Sequence, residues 1–113
     1  MSDLSYSDVL AARARIAETA QAILDGRLGI VEGSRQMMAD RLDVDPEQED
    51  AELLGICGIE SQTDHLPLGS VRQYWDPEAL QRNDAELAEC EEFFRNSAMA
   101  MCRALVDRYS RPA

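Results

Sequence analysis

Residues 76–109 read DPEALQRNDAELAECEEFFRNSAMAMCRALVDRY, and this stretch decides the fold class. Asp76, Pro77 and Glu78 are typical of a helix start, because Asp caps free amides, Pro fits the first turn and a carboxylate is favourable there. No further Gly or Pro occurs before Tyr109. The pattern predicts one long C-terminal helix that ends near Tyr109. Its apolar residues recur at the spacing of a single helix face: Leu80, Leu87, Cys90, Phe94, Ala98, Met101 and Leu105.

The segments before this stretch predict three shorter helices. The first begins near Ser7, a residue that caps helices well, and stops at Gly26. The second covers residues 28–44 and holds Gly33 in its interior. Close approach of a neighbouring helix would explain this glycine, which costs about 1 kcal/mol relative to Ala. Asp45 and Pro46 predict the start of a third helix, which ends near Ile59.

These elements together predict an all-α fold. We expect one domain over residues 1–113, built as a four-helix bundle-like arrangement with short links. An ordered loop from Glu60 to Trp75 would join the third helix to the long C-terminal one.

The charge balance is strongly acidic, with 22 Asp and Glu against 11 bases, all of them Arg, and a net charge of −11. Such a surface disfavours nucleic acid and anionic membranes, which bind through Lys and Arg, and it favours a basic protein partner. No run reaches the ~20 apolar residues that span a bilayer. The N-terminal residues show no signal-peptide pattern. We therefore expect a cytoplasmic protein that binds neither nucleic acid nor membrane.

The connector GIESQTDHLPLGSVRQYW, residues 58–75, carries the only His and the only Trp of the chain. A metal-dependent enzyme could use Glu60, Asp64 and His65, but no second His completes a zinc set. A nucleophile pair of Ser61 or Cys57 with His65 lacks a Gly-x-Ser-x-Gly elbow. We predict no catalytic residue, no metal and no cofactor here.

Two other interpretations of the connector remain open. In the first it is a structural clasp, whose polar side chains bond to local backbone and pin the loop to the bundle. In the second it is a recognition surface, because Trp, Tyr and Arg dominate interface hot spots. Acidic segments flank the connector on both sides and could steer a basic partner towards it. The residues predicted to bind that partner are Glu47, Glu49, Asp50, Tyr74, Trp75, Glu86 and Glu89.

The connector and the LGIVEGSR segment resemble a group of small acidic bacterial proteins. Their pattern is L-G-x-I-E-G-x-R, followed by I-D-S-E-T-D-H-L-P-x-G-x-x-R-x-x-W, and this chain matches most of it between Leu28 and Trp75. The chain departs at Glu60, where the pattern has Asp, and at Gln62, where it has Glu. The pattern carries no activity. The resemblance implies one structural clasp of Glu32, Arg35, Glu60, Asp64, His65 and Arg72, for instance with Arg35 bonded to Asp64 or Glu60.

Small acidic helical proteins of this kind are similar in class to immunity proteins, although no motif is shared. The leading hypothesis is a protein-binding module of this type, which occludes the active site of a basic bacterial toxin or effector. The first alternative is a stand-alone structural or regulatory domain, which could be a homodimer. The second alternative is the metal-dependent enzyme.

Overall fold

The computed structural model describes residues 5–110, which form helices and no strand. The α-helices are α1 (Tyr6–Leu24), α2 (Ile30–Met38), α3 (Arg41–Val44), α4 (Ala51–Thr63) and α5 (Pro77–Tyr109). A 3-10 helix, Gly69–Tyr74, lies between α4 and α5. The all-α prediction with a long C-terminal helix is confirmed. No helix among the described residues is long and apolar enough to cross a membrane.

The core lies between α1, α2, α4 and the C-terminal half of α5. Helix α5 packs mainly on α1 and also touches α2 and α4. Of the apolar face predicted for the long helix, Ala98 and Leu105 are buried, whereas Met101 and the residues before Ala98 remain partly exposed. A helix buries one face against its neighbours, and these four helices supply the buried apolar side chains. The largest are Ile16, Ile23, Met37, Leu53, Ile56 and Leu105.

Helix starts differ from the sequence prediction at two places. Helix α1 is capped by Ser5 rather than Ser7, because Ser5 accepts a hydrogen bond from the Asp8 amide and Asp8 bonds back to it. Helix α4 starts after Asp50 rather than at Asp45. Asp45 instead accepts bonds from the amides of residues 49 and 50, and Gln48 adopts a φ of 54°, which no helix continues through.

Two other helix boundaries also differ from the sequence prediction. The second predicted helix is divided into α2 and α3 by a turn at Ala39 and Asp40. Asp40 is held there by two hydrogen bonds from Arg15 of α1, at 3.0 and 2.8 Å. Glu60, predicted to open the loop, lies inside α4, which continues to Thr63. The ordered loop is therefore shorter than expected, and half of its residues 64–75 form the 3-10 helix.

Gly33 occupies the close helix approach that the sequence suggested. A Cβ at this position would lie 2.4 Å from Cδ1 of Ile23 on α1, a side chain that is itself buried. Gly58 of α4 is exposed, and a Cβ there would meet nothing within 4 Å. Of these two glycines in helix interiors, one has no room for a Cβ and the other has open space, so replacement by alanine should have opposite effects on stability.

Gly33→Ala is expected to destabilise the protein by about 1–2 kcal/mol, because overpacking at Ile23 outweighs the gain in helix propensity. Gly58→Ala is expected to stabilise it by about 0.5–1 kcal/mol, since only the propensity gain remains. Urea unfolding of both variants measures the two changes. Changes of the same sign would contradict the packing of α1 on α2.

Candidate functional site

Arg35 of α2 fastens the end of α4 and the segment behind it. Its guanidinium donates to the Thr63 carbonyl at 2.8 Å and to the Leu66 carbonyl at 3.0 Å. Helix ends leave carbonyls without intrahelical partners, and a charged donor satisfies them well. Leu66 is buried beside this contact. Arg35 bonds to backbone carbonyls, whereas the resemblance implied Asp64 or Glu60 as its partner.

His65 and Arg72 fasten the same segment to α5. His65 Nε2 lies 2.6 Å from Oε2 of Glu86. Arg72 donates two hydrogen bonds to the Asp84 carboxylate, at 2.7 and 2.9 Å, and a longer one to the Pro67 carbonyl. The hydrogen bond from Arg72 lowers the pKa of Asp84, although partial desolvation opposes it. Three side chains thus hold residues 64–75 against two helices.

The remaining predicted clasp residues are not part of this network. Within residues 5–110, the carboxylates of Glu32, Glu60 and Asp64 form no hydrogen bond or ion pair, and Glu32 and Asp64 are exposed. The described residues also contain no group of three His, Cys, Asp or Glu side chains that could hold a metal ion. Glu60, Asp64 and His65 are therefore not gathered as the metal hypothesis requires.

We call residues 64–75 the fastened segment. It ends with Tyr74 and Trp75, and both side chains face outward. Tyr74 is 81% exposed and Trp75 is 39% exposed. Val71, on the same 3-10 helix, is 48% exposed. The anchoring arginines and histidine hold the backbone of this segment in place. Its exposed apolar side chains therefore face solvent from an ordered backbone.

The three acidic residues predicted on the third helix divide into two kinds. Glu47 and Glu49 are exposed, and neither carboxylate forms a hydrogen bond or ion pair within residues 5–110. Asp50 instead has a side chain only 6% exposed. Its carboxylate caps α4 through the Leu53 amide and accepts bonds from Tyr109 and Arg108 at the end of α5. Asp50 was expected to offer an open charge, and its burial between two helices corrects that expectation.

Glu86 and Glu89 lie on α5 one turn apart. Glu86 is half-exposed and bonded to His65, whereas Glu89 is exposed without a hydrogen bond or ion pair in the described chain. They border a groove that α5 forms with Gln62 of α4. We name it the α4–α5 groove, and it holds about 370 Å³ between Gln62, Glu86, Glu89, Cys90, Phe93 and Phe94.

Sequence reasoning did not find Glu91 and Phe93. The spacing of apolar residues leaves Glu91 off the predicted apolar face of the last helix, but its carboxylate accepts bonds from the Ile30 and Val31 amides, at 2.9 and 2.8 Å, and so caps α2. Gly29 supplies no side-chain cap of its own, which is the local signal of an outside partner. Phe93 lies beside the predicted apolar face rather than on it, and it is 79% exposed. The spacing thus separated Phe93 from Phe94, but it gave no signal that Phe93 borders a groove.

The charges that are left without partners are mainly negative. Of the arginines described, only Arg82 and Arg103 form no hydrogen bond or ion pair within residues 5–110. More carboxylates than arginines are without a hydrogen bond or ion pair in this part of the chain. These carboxylates belong to Glu18, Glu32, Asp43, Glu47, Glu49, Glu60, Asp64, Glu78 and Glu89. A surface with such an excess of negative charge attracts positively charged molecules.

Comparison with known protein families, with curated proteins and with solved structures finds no match for this chain.

Proposed function

We propose that this domain is a protein-binding module for a basic partner, and that it acts as an immunity-type inhibitor. In this role it would bind a cationic toxin or effector domain and cover the active site of that protein. In this role the domain needs no catalytic activity.

One observation supports this proposal most directly. Tyr74 and Trp75 are exposed on a segment that Arg35, His65 and Arg72 fasten to α2 and α5. An ordered backbone loses little freedom on binding, so exposed aromatic side chains on it make efficient anchors. An equally exposed aromatic on a loose loop would lack this advantage.

The unpaired carboxylates support the charge of the partner. Glu47 and Glu49 lie before α4, and Glu78 and Glu89 lie on α5, on either side of the fastened segment in the chain. Attraction between opposite charges speeds the encounter and weakens as salt rises. A basic partner therefore suits this surface better than a neutral or acidic one.

The test starts from the products of the reading frames that adjoin this gene, purified one by one. A basic product should bind at low salt, bind more slowly as salt rises, and lose its own activity at one equivalent of the domain. If no adjoining basic product binds, the proposal of an immunity-type inhibitor is wrong. If one binds without losing activity, active-site occlusion is wrong.

Tyr74→Ala is expected to weaken this complex at least about 30-fold, as for a central aromatic hot spot. The free energy of unfolding should change by less than about 0.5 kcal/mol, because the side chain is exposed. Calorimetry of binding and urea unfolding measure the two effects separately.

Tyr6→Ala is the matched control, since Tyr6 is 67% exposed on α1 and away from the fastened segment. The control should bind like the parent protein. Equal binding by the parent and the Tyr74 variant would remove the 3-10 helix from the interface.

A further inference from the structure

The N-terminal half of α5 has no fully buried side chain. The buried residues of this helix begin at Ala98, although α5 begins at Pro77. Phe94 packs partly against the core, while its neighbour Phe93 is 79% exposed and meets it edge-to-face at 5.0 Å between ring centres. A single exposed apolar residue is ordinary, but Phe93 adjoins Phe94 and Cys90 along one groove, and a joined apolar surface of this kind is one that a partner can cover.

The α4–α5 groove combines this ring with acidic groups. Glu86, Glu89 and Phe93 fall at positions i, i+3 and i+7 of α5, so they share one helix face. Gln62 of α4 forms the opposite wall. Glu86 is engaged with His65, which leaves Glu89 as the open carboxylate beside the ring.

An apolar floor with a carboxylate at its rim suits an arginine side chain. The three-carbon stem packs on apolar surface, the guanidinium plane lies over an aromatic ring, and its amino groups reach a carboxylate. A leucine alone would leave Glu89 partly desolvated without a partner, and an acidic side chain would be repelled.

The charge balance decides between a basic partner and a second copy of this chain. A second copy would bring another net charge of −11. Most of its described arginines are committed: Arg108, for example, is bonded to Asp50 and Glu52, and Arg95 to Glu92. Near the groove a second copy could offer only Arg82, which lies four residues before Glu86 on the same helix face. One arginine does not offset the net negative charge on each copy, so self-association through the groove is unfavourable.

Resting on the proposed function, we propose that the α4–α5 groove receives an arginine-bearing apolar helix face of the basic partner. One arginine packs on Phe93 and pairs with Glu89, and neighbouring apolar side chains contact Cys90 and Phe94. The groove is thus a second point of attachment, separate from Tyr74 and Trp75.

The test uses the whole domain, labelled with ¹⁵N, and two synthetic amphipathic helical peptides. Both peptides carry leucines on one face; one has two arginines beside them, and the other has citrulline at those positions. Citrulline keeps the shape and removes the charge. We expect the arginine peptide to shift the amide signals of residues 86–94 and the side-chain amide of Gln62. We expect the citrulline peptide to bind at least about tenfold more weakly.

Variants of the groove locate the contact. Phe93→Ala and Glu89→Gln are each expected to weaken the arginine peptide about five- to tenfold. Tyr6→Ala and Glu18→Gln are matched controls, because both residues are exposed on α1 and outside the groove. The controls should bind like the parent domain.

Three results would overturn the inference. The first is an arginine peptide that leaves the signals of residues 86–94 unchanged up to about 2 mM. The second is equal binding by the parent and the Phe93 variant. The third is sedimentation of the parent domain as a dimer that Phe93→Ala dissociates, which would assign the groove to a second copy.

The experiments distinguish a failure of this inference from a failure of the proposed function. A whole partner that needs Tyr74 but binds the Phe93 variant normally would leave the proposed function standing and remove the groove from it. A peptide that binds the groove while no adjoining basic protein binds the domain would remove the immunity-type function alone.

Discussion

Replacing Asp50 by alanine is expected to lower the free energy of unfolding by about 3 kcal/mol. Loss of the cap on α4 accounts for about 1 kcal/mol. The Tyr109 hydroxyl would lose its acceptor in a largely buried site, which costs about 1–3 kcal/mol. Arg108 keeps its contact with Glu52 and reaches solvent, so it adds less. Urea unfolding followed by circular dichroism measures the change.

Glu49→Ala is the matched control for this prediction. Glu49 precedes Asp50, is exposed, and forms no hydrogen bond or ion pair through its carboxylate within residues 5–110, so stability should change by less than about 0.5 kcal/mol. Adding Tyr109→Phe to Asp50→Ala should cost less than the sum of the single changes, because the two residues share one hydrogen bond. Equal stability of the Asp50 and Glu49 variants would contradict the observed contact between α4 and α5.

The same contact predicts a dependence on pH. Burial alone would raise the pKa of Asp50, but hydrogen bonds from Tyr109, Arg108 and the Leu53 amide outweigh it and hold the pKa below its ordinary 3.8. A lowered pKa means that the stabilisation is complete above the ordinary value and is lost as pH falls through the folded-state pKa. The stability difference between the parent and Asp50→Ala should therefore shrink below pH ~3.8 and be constant near neutrality.

The second large effect is expected for Arg35→Met, which keeps much of the side-chain length and removes the charge. Two carbonyls would lose a charged donor, at about 1–2 kcal/mol in total after partial replacement by water. The fastened segment should loosen as well. Amide exchange at Leu66 and Trp75, whose amides bond to the Thr63 and Arg72 carbonyls, should quicken by more than the global loss of stability explains.

Arg82→Met is the control for this change, because Arg82 is an exposed arginine without a hydrogen bond or ion pair within residues 5–110. Its exchange rates at Leu66 and Trp75 should match those of the parent. Identical exchange in the two variants would show that Arg35 does not order the segment. If the segment is a preformed binding surface, Arg35→Met should also weaken the partner several-fold without touching it.

Local order in this protein follows from local sequence. The spacing of apolar residues predicted the helices, Asp76 and Pro77 marked the start of α5 correctly, and Gly33 marked a close helix approach. Each of these signals depends on neighbours within a turn or two, where backbone hydrogen bonds and caps are formed. The false start at Asp45 has the same origin, since both aspartates accept bonds from backbone amides, but only Asp50 caps α4 while Asp45 holds the turn before it.

The tertiary structure alone determined which carboxylates remain without a hydrogen-bond partner. Glu91 caps a helix some sixty residues earlier in the chain, and Asp50 bonds to Tyr109 across a similar separation. The carboxylates of Glu47 and Glu49 form no hydrogen bond or ion pair among the described residues. Residue type and spacing do not distinguish these acids. Their partners are chosen when helices distant in sequence pack together, and the same packing covers Phe94 while it leaves Phe93 at the surface. Periodicity along one helix thus determined the fold class, and contacts between helices decided which residues are available to bind.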